Sequence, residues 1–267
     1  MSGFWAVIPA RRASTRLPDK PLADIGGRPM IVRVAERALA SGASRTIVAT
    51  DCNEILAAVT RAGFQAVMTR TDHPSGSDRI AEVARLLDAA DDQILVNVQG
   101  DEPLIEPALV GSVARLLASR PEAEVATAAA PVDNPQDICS PHVVKVVCDS
   151  TDRALYFSRA AIPFHRDAWS HPAAMGTAVP PGGLLRHVGI YAFRAAALAD
   201  FVQWPVCPIE RAEQLEQLRW LWHGRTIMVH RAAYAPHAGV DTAEDLARVR
   251  AIWALTCGNP PDASASL

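Results

Sequence analysis

Five consecutive apolar residues, Phe4-Trp5-Ala6-Val7-Ile8, stand near the start of the chain and end at Pro9. A short continuous run of this kind is typical of a strand buried on both faces of a parallel sheet. A polar loop follows over residues 10–21, and apolar residues at helical spacing then predict a helix that begins beside Pro29. The chain therefore opens with a strand, a polar loop and a helix.

The same alternation continues along the chain. We predict strands at 46–50, 65–68, 94–98 and 125–130, and helices over 30–39, around 55–59, over 78–89 and over 107–119. In the less regular second half we predict strands at 143–148, 154–158, 187–194 and 226–231, helices over 210–223 and 242–255, and a long loop over 165–186. Alternating strands and helices indicate an α/β fold with a doubly wound, largely parallel sheet flanked by helices.

Composition excludes several classes of protein. Of the 267 residues, 49% are hydrophobic and 21% are charged, which excludes a disordered chain. A net charge of -3 argues against a nucleic-acid partner, since no basic field is available to neutralise many phosphates. No apolar run has the length of a membrane span, so we expect no membrane partner. The five scattered cysteines predict reduced thiols and a cytoplasmic location.

The two lysines stand out among the basic residues. The chain has 26 Lys and Arg, and only Lys20 and Lys145 are lysine, so 24 are arginine. A lysine kept in such a background suggests a position that needs a compact point charge rather than a planar fork.

The loop after the first strand, IPARRASTRLPDKPL over residues 8–22, is the first candidate site. It lacks the glycine patterns of a P-loop or a dinucleotide fingerprint. Its small residues nevertheless allow close backbone approach, and its cations can neutralise a polyphosphate. The alternative from charge content alone is a solvated loop.

Two further loops end at the same edge of the predicted sheet. In VNVQGDEP, residues 96–103, Asp101 follows a buried strand and a glycine, where a carboxylate can hold Mg²⁺ or merely cap a turn. In DHPSGSDR, residues 72–79, small residues precede a helix start that can bind an anion; the simpler interpretation is that Ser77 is an N-cap.

Polar residues of the second half form a more scattered group. Lys145, Arg159, His187, Tyr191 and the segment 216–219 could line a pocket for an acidic, hydroxylated substrate. Each also has a structural explanation, such as a surface helix pair between Glu216 and Arg219. Asp241 is most simply an N-cap, and it is a second metal ligand only if Asp101 lies nearby.

These segments occur in the order of one family. IPARRASTRLPDKPL, NVQGDEP, ALYFSRAAIP (154–163), HVGIY (187–191), LEQLR (215–219) and GVDTAEDL (239–246) resemble the 3-deoxy-manno-octulosonate (Kdo) cytidylyltransferases, the CMP-Kdo synthetases of lipopolysaccharide biosynthesis. The resemblance covers residues 1–250. Departures are the segment 139–142, Pro74, Ser77-Asp78 and the individual stretch 169–183.

The resemblance implies a Rossmann-like nucleotidyltransferase fold with a smaller β-containing subdomain for dimerisation and sugar binding. It implies a single domain over 1–257, with a CTP-binding half at 1–130 and a sugar-binding half at 131–257; we expect a disordered tail at 258–267. It also implies a homodimer, with CTP as co-substrate and Mg²⁺ as cofactor.

The resemblance also implies roles for individual residues. Arg11, Lys20, Asp101 and Asp241 would be catalytic, with Mg²⁺ on the two aspartates. The loops around CTP would contribute Ala10, Arg11, Ser14, Lys20, Ser75, Gly76, Ser77, Arg79, Gln99 and Gly100. The substrate side would contribute Arg79, Gln99, Lys145, Arg159, His187, Tyr191, Glu216 and Gln217.

The expected reaction is CTP + Kdo → CMP-Kdo + diphosphate. Three alternatives stay open at this point: CMP activation of 8-amino-Kdo or a sialic acid, a glycosyltransferase that releases a nucleotide, and a catalytically silent nucleotide-binding protein. All versions that use the metal require Asp101 and Asp241 to meet in the folded chain.

Overall fold

The computed structural model describes residues 3–12 and 17–256. Ser14 and the expected tail at 258–267 lie outside these residues. The described chain divides into two compact units: the first comprises the residues up to Asp88, Asn97–Val110 and those from Pro236 on, and the second comprises Ala89–Val96 and Gly111–Ala235. The proposed division into halves at residue 130 stays a prediction.

The strands and helices follow the predicted alternation. The strands are β1 (Trp5–Ala10), β2 (Asp24–Ile25), β3 (Arg28–Pro29), β4 (Arg45–Thr50), β5 (Gln65–Met68), β6 (Ile94–Asn97), β7 (Val125–Pro131), β8 (Lys145–Cys148), β9 (Ala154–Ser158), β10 (Leu185–Arg194) and β11 (Ile227–Arg231). The helices are α1 (Met30–Leu39), α2 (Asn53–Arg61), α3 (Gly76–Leu86), α4 (Pro107–Ala118), α5 (Gln136–Cys139), α6 (Ala195–Phe201), α7 (Pro208–Glu213), α8 (Leu218–Trp222) and α9 (Ala243–Thr256).

The first unit is a parallel α/β layer. β1 pairs with β4 and β4 with β5, both in parallel, and the backbone of Val98 donates to Val7 on the other side of β1. β1 is buried along almost its whole length, as its unbroken apolar sequence predicts. The carboxyl ends of these strands therefore meet at one edge, where loops collect ligands in open α/β sheets.

The last helix, α9, completes the core of the first unit. Val240, Leu246, Val249 and Trp253 pack with Ile25 and Met30. The helix is preceded by a capping box, in which the Asp245 amide donates to Thr242 Oγ1 (3.2 Å) and the Thr242 amide donates to Asp245 Oδ2 (3.0 Å). The cap fixes the chain direction just after Asp241.

The second unit is built on a mixed sheet. Its strand order is β11-β7-β10-β6, with β8 pairing β10 and β9. β11 and β7 are parallel, whereas β10 runs antiparallel to both β7 and β8. The predicted α/β class with a mostly parallel, mixed sheet flanked by helices is confirmed.

The single helix predicted over 210–223 is wrong. The chain forms α7, turns at Gln214 with a φ of 53°, and continues as α8. The reason is a side chain from elsewhere in the sequence: Arg159 donates to the carbonyl oxygens of Glu213 (2.7 Å) and Gln214 (3.3 Å), which a continuing helix would use itself.

The start of α3 also differs from the prediction. The helix begins at Gly76 rather than Asp78, and Ser75 is its N-cap, accepting from the Asp78 amide at 3.3 Å. The proposed cap, Ser77, is buried inside the first turn.

Candidate active site

A cleft of about 550 Å³ opens in the first unit at the carboxyl ends of its strands. It brings together the loop after β1, the start of α3 with the segment before it, the loop after β6, and Asp241, which lies two residues before α9. Its lining comprises Pro9, Ala10, Arg11, Lys20, Pro21, His73, Pro74, Ser75, Gly76, Arg79, Gln99, Gly100, Asp101 and Asp241. The volume lies within the range that small-molecule sites occupy.

The floor of the cleft requires glycine at position 100. A Cβ atom there would lie 2.7 Å from the carbonyl oxygen of Pro9, and 3.7 Å from the Cβ of Ala10. The loop after β6 therefore passes directly over the end of β1, and this close approach places Gln99 and Asp101 on either side of the crossing.

Asp101 and Asp241 lie together around the ammonium group of Lys20. Lys20 Nζ donates to Asp101 Oδ2 (2.8 Å), to the carbonyl oxygen of Val240 (2.8 Å) and to Asp241 Oδ1 (3.2 Å). The expectation that the two aspartates meet is confirmed. The three acceptors match the three donors of an ammonium group, which a planar guanidinium would not match.

The backbone holds this arrangement in place. The Val240 amide donates to the Asp101 carbonyl at 2.8 Å, and the Asp241 amide donates to Asp245 Oδ2 at 3.0 Å. The side chains are 14% exposed for Lys20, 34% for Asp101 and 49% for Asp241. Both carboxylates thus face a cation on one side and solvent on the other.

Glu102, next to Asp101, has an altered affinity for protons. Burial raises the pKa of its carboxyl group to about 8, and the charge of Asp101 adds to this effect. A neutral side chain beside Asp101 limits the negative charge that accumulates at this end of the cleft.

The loop after β1 carries two neighbouring arginines with different surroundings. Arg11 is exposed and lines the cleft. Arg12 forms ion pairs with Asp19 (2.5 Å) and with Glu54 of α2 (2.8 Å). Arg12 thereby connects the loop to α2, and Arg11 is the arginine of this pair that lines the cleft. Ser14 was also expected to bind here, but it lies outside the described residues.

Arg79 presents a buried charge beneath the cleft. Its guanidinium donates to Thr69 Oγ1 (2.5 Å) and to Asp51 Oδ2 (2.7 Å), and its side chain is 5% exposed. The ion pair stabilises the segment before α3, so that Ser75 and Gly76 line the cleft in a fixed position.

His73 lines the cleft, although the sequence analysis did not select it. Its Nε2 lies 2.5 Å from Glu82 Oε2, which also accepts from the Arg70 amide at 2.9 Å. Burial alone would raise the pKa of Glu82, but the hydrogen bonds from His73 and Arg70 outweigh burial and the pKa is lowered. His73 lies in the candidate segment 72–79, but its partner Glu82 lies outside that segment, so the sequence pattern does not indicate their contact.

In the second unit, Lys145 is fully buried and its ammonium is saturated. Lys145 Nζ donates to the carbonyl oxygens of Val143 (2.5 Å), Arg159 (2.7 Å) and Ser140 (2.9 Å). Burial lowers its pKa. Like Lys20, it sits where three acceptors converge, so both lysines of the chain occupy sites that suit a compact cation.

Arg159 is likewise held by backbone groups. Besides its bonds to Glu213 and Gln214, its Nη1 donates to the carbonyl of Pro141 at 2.7 Å. Its own amide donates to Glu213 Oε2 (2.9 Å), and Ser158 donates to Glu213 Oε1 (2.6 Å). Sequence reasoning missed Glu213, because no motif marks the residue.

His187 and Tyr191 lie next to each other on β10, with ring centroids 5.3 Å apart. Burial lowers the pKa of His187 to about 3, so its imidazole is neutral. Burial and the charge of Glu216 raise the pKa of Tyr191 well above its ordinary value, so the phenol keeps its proton. The second unit therefore brings His187, Tyr191 and Glu216 into one neighbourhood.

The turn between α7 and α8 carries the remaining expected residues. Gln217 is buried, and it precedes α8 directly. Arg219, expected as a partner of Glu216, forms a two-pronged ion pair with Glu210 at 2.5 and 2.7 Å. This pair closes α7 against α8 and is a structural contact.

Comparisons with known proteins show which family and which solved structures this chain is similar to. The family model described as cytidylyltransferase matches residues 5–227. The chain is 57% identical over 248 residues to the 3-deoxy-manno-octulosonate cytidylyltransferase of Herminiimonas arsenicoxydans, covering 92% of this chain and 97% of that one.

Two solved structures share the fold. One is described as CMP:2-keto-3-deoxy-manno-octonic acid synthetase complexed with CTP; its TM-score is 0.85 at 42% identity, over 95% of this chain and 99% of that one. The other is a nucleotidyl transferase from Methanothermobacter, with a TM-score of 0.60 at 16% identity over 96% and 100% of the two chains; it supports the fold alone.

The fold is that of a nucleotidyltransferase. Within that class, the chain belongs to the cytidylyltransferase family.

Proposed function

We propose that this chain transfers CMP from CTP to Kdo and releases diphosphate, as a step of lipopolysaccharide biosynthesis. The observation that carries the proposal is the meeting of Asp101, Asp241 and Lys20 at one end of a nucleotide-sized cleft. The substrates, CTP and Kdo, are taken from the names of the Herminiimonas relative and of the synthetase solved in complex with CTP.

The reaction requires alignment and charge neutralisation more than covalent help from the protein. The anomeric hydroxyl of the sugar attacks the α-phosphorus in line, a new P–O bond forms, and the bond to the outer two phosphates breaks. Arg11 and Lys20 lie in the cleft as cations for the departing diphosphate. The opposite part of the lining, with Ser75, Gly76, Arg79 and Gln99, is assigned to the cytosine ring and its ribose.

Asp101 and Asp241 fit a magnesium ion. They are hard oxygen donors that already converge on one cation. Mg²⁺ is commonly bound through one or two carboxylates together with substrate phosphates and water, and the two aspartates supply such a pair. When bound, the ion supplies charge stabilisation at the α-phosphate and a lower pKa for the attacking hydroxyl.

The sugar acid is assigned to the second unit. Arg159, His187, Tyr191, Glu216 and Gln217 supply a cation, a neutral imidazole, a phenol and two further polar groups. Lys145 supports this set indirectly, because its ammonium fixes the carbonyl of Arg159.

We further propose a homodimer, with the second unit as the dimerisation part. A cytoplasmic location is consistent with the free thiols of Cys52, Cys139, Cys148 and Cys207. No helix within the described ranges is long and apolar enough to cross a membrane.

A diphosphate-release assay with CTP, Mg²⁺ and a panel of sugar acids tests the proposal. Kdo is expected to support release, and 8-amino-Kdo and a sialic acid are expected to be poorer substrates. Faster diphosphate release with 8-amino-Kdo or the sialic acid would show that this sugar, and not Kdo, is the preferred substrate. Release of CMP from a CMP-sugar donor, with no diphosphate released from CTP, would indicate a glycosyltransferase. CTP binding without turnover would indicate a silent nucleotide-binding protein.

A further inference from the structure

Strand β10 contains a β-bulge directly after Val188. Val188 pairs with Ala128 of β7, but the next pair joins Tyr191 to Thr127, so Gly189 and Ile190 are accommodated without partners in that register. Bulges commonly redirect side chains next to functional sites. Here the bulge places both His187 and Tyr191 near the side chain of Thr127.

Thr127 is fully buried, and its hydroxyl group meets the bulge and the imidazole at once. Thr127 Oγ1 lies 2.7 Å from the carbonyl oxygen of Ile190, 3.3 Å from that of Val188 and 2.9 Å from His187 Nε2. The hydroxyl has one proton to donate, and a carbonyl oxygen can only accept. The proton therefore goes to the Ile190 carbonyl, and Oγ1 accepts a hydrogen bond from Nε2–H of His187.

We infer that Thr127 is a positioning residue that holds His187 in the tautomer with its proton on Nε2, so that Nδ1 accepts a hydrogen bond from a hydroxyl group of the sugar acid. This inference rests on the proposed function for its substrate, and on the geometry alone for its tautomer. On this assignment, His187 recognises a hydroxyl group of the substrate, which can donate a hydrogen bond to Nδ1. His187 is then not the counter-ion of the substrate carboxylate.

The surroundings of the ring support this assignment. Nδ1 of His187 makes no hydrogen bond to another described residue, and it is not among the buried polar atoms that lack one. Phe157 contacts the ring edge-on at 5.1 Å and 81°, and Tyr191 lies at 5.3 Å, so the ring plane is fixed from two sides. Burial keeps the imidazole neutral, as its lowered pKa indicates.

Nitrogen-15 NMR of histidine-labelled full-length protein reads the tautomer without reference to activity, with His187→Gln used to assign the signals. In the wild type we expect the Nε2–H tautomer for His187. Thr127→Val keeps the side-chain shape but removes the acceptor, so a mixture of tautomers is expected. Thr127→Ser keeps the hydroxyl and is expected to restore the wild-type spectrum. A wild-type Nδ1–H tautomer, or a Thr127→Val spectrum identical to the wild type, overturns the tautomer assignment.

Steady-state kinetics test the substrate part. Only the fraction of protein in the Nε2–H tautomer accepts a hydrogen bond from the sugar hydroxyl, so equal populations of the two tautomers predict a KM for Kdo that is about twofold higher in Thr127→Val. The KM for CTP is expected to stay near wild type. The melting temperature of Thr127→Val is expected to fall by a few degrees, because the buried Ile190 carbonyl loses its donor. Thr127→Ser keeps the hydroxyl and is expected to recover the KM for Kdo. An altered tautomer with an unchanged KM for Kdo overturns the hydroxyl contact. Absence of any turnover with Kdo in the wild type overturns the proposed function and the substrate contact together, while NMR still decides the tautomer.

Discussion

Lys20 and Asp101, 81 positions apart in the sequence, form a direct ion pair of 2.8 Å in the cleft. The same ammonium reaches Asp241 at 3.2 Å, so one lysine contacts both carboxylates that are proposed to hold Mg²⁺ and offsets one of their two negative charges. The protein therefore stabilises two adjacent negative charges with an internal cation, and a divalent ion has to compete with that cation for the same oxygens.

The first prediction concerns this competition. Lys20→Met removes the ammonium and leaves Asp101 and Asp241 facing each other, so Mg²⁺ without CTP is expected to bind the variant more tightly than the wild type. Because a ligand that binds only the folded state stabilises it, Mg²⁺ is expected to raise the melting temperature of Lys20→Met by about 2–4 °C for each kcal/mol of binding gained. Thermal unfolding with and without Mg²⁺ measures this.

Lys20→Arg is the matched control for charge. Arginine keeps one positive charge, but its planar guanidinium does not match three converging acceptors. Catalytic activity is therefore expected to be lower than in the wild type, and the shift in melting temperature caused by Mg²⁺ is expected to be small. Equal Mg²⁺ shifts in wild type and Lys20→Met would show that the lysine does not occupy the metal-binding oxygens.

The second prediction separates turnover from nucleotide affinity. Asp101→Asn removes one carboxylate charge, and kcat is expected to fall by about 10²–10³-fold while the Kd for CTP changes by less than about threefold. Asp72→Asn, the same change at a side chain that is 72% exposed, is the control and is expected to be neutral. A near-normal rate of diphosphate release by Asp101→Asn would contradict the assignment of Asp101 as a Mg²⁺ ligand.

The third prediction tests the close approach of the loop after β6 to the end of β1 at the floor of the cleft. Gly100→Ala places a Cβ 2.7 Å from the Pro9 carbonyl, so the backbone has to shift, at an expected cost of about 1–3 kcal/mol in the free energy of unfolding. Gly189→Ala serves as the control, because a Cβ there meets no atom within 4 Å. Denaturant unfolding of both variants gives the comparison; equal stabilities would show that the crossing tolerates a side chain.

The fourth prediction follows from the raised pKa of Glu102. Its folded pKa of about 8 lies above the ordinary unfolded value of about 4.3, so the folded state binds a proton that the unfolded state loses. The contribution of Glu102 to stability is complete below about pH 4 and is lost as the pH rises towards 8 and beyond. Glu102→Gln lacks this loss, and its stability relative to wild type is therefore expected to increase between about pH 5 and 9.

Denaturant unfolding of metal-free protein across this pH range measures the difference for Glu102→Gln. A stability difference that does not vary with pH would mean that Glu102 titrates normally.

Much of the first unit follows from local sequence patterns. The bounds predicted for β5, and for the helix over 30–39, coincide with the observed elements because their apolar residues have the period of the structure they form. The positions of Asp101 and Asp241 also follow from local patterns, because Asp101 comes shortly after a buried strand and Asp241 comes just before a helix cap.

Contacts between residues that are far apart in the sequence could not be predicted, because no local pattern indicates them. The break at Gln214 depends on Arg159, which lies 55 residues away, and no glycine or proline signals it. Thr127 lies in an alanine-rich strand that only its burial and its hydrogen bonds distinguish. Such residues act through partners, and partners become visible only when the chain is folded.

The fate of the α-phosphate decides whether this chain is a cytidylyltransferase for Kdo. With CTP labelled at the α-phosphorus, Mg²⁺ and Kdo, the label is expected in a sugar-linked CMP, together with one unlabelled diphosphate per turnover. Asp101→Asn is expected to lose both products in parallel. Label recovered as free CMP, or formation of the labelled product without Kdo, would contradict the proposed reaction.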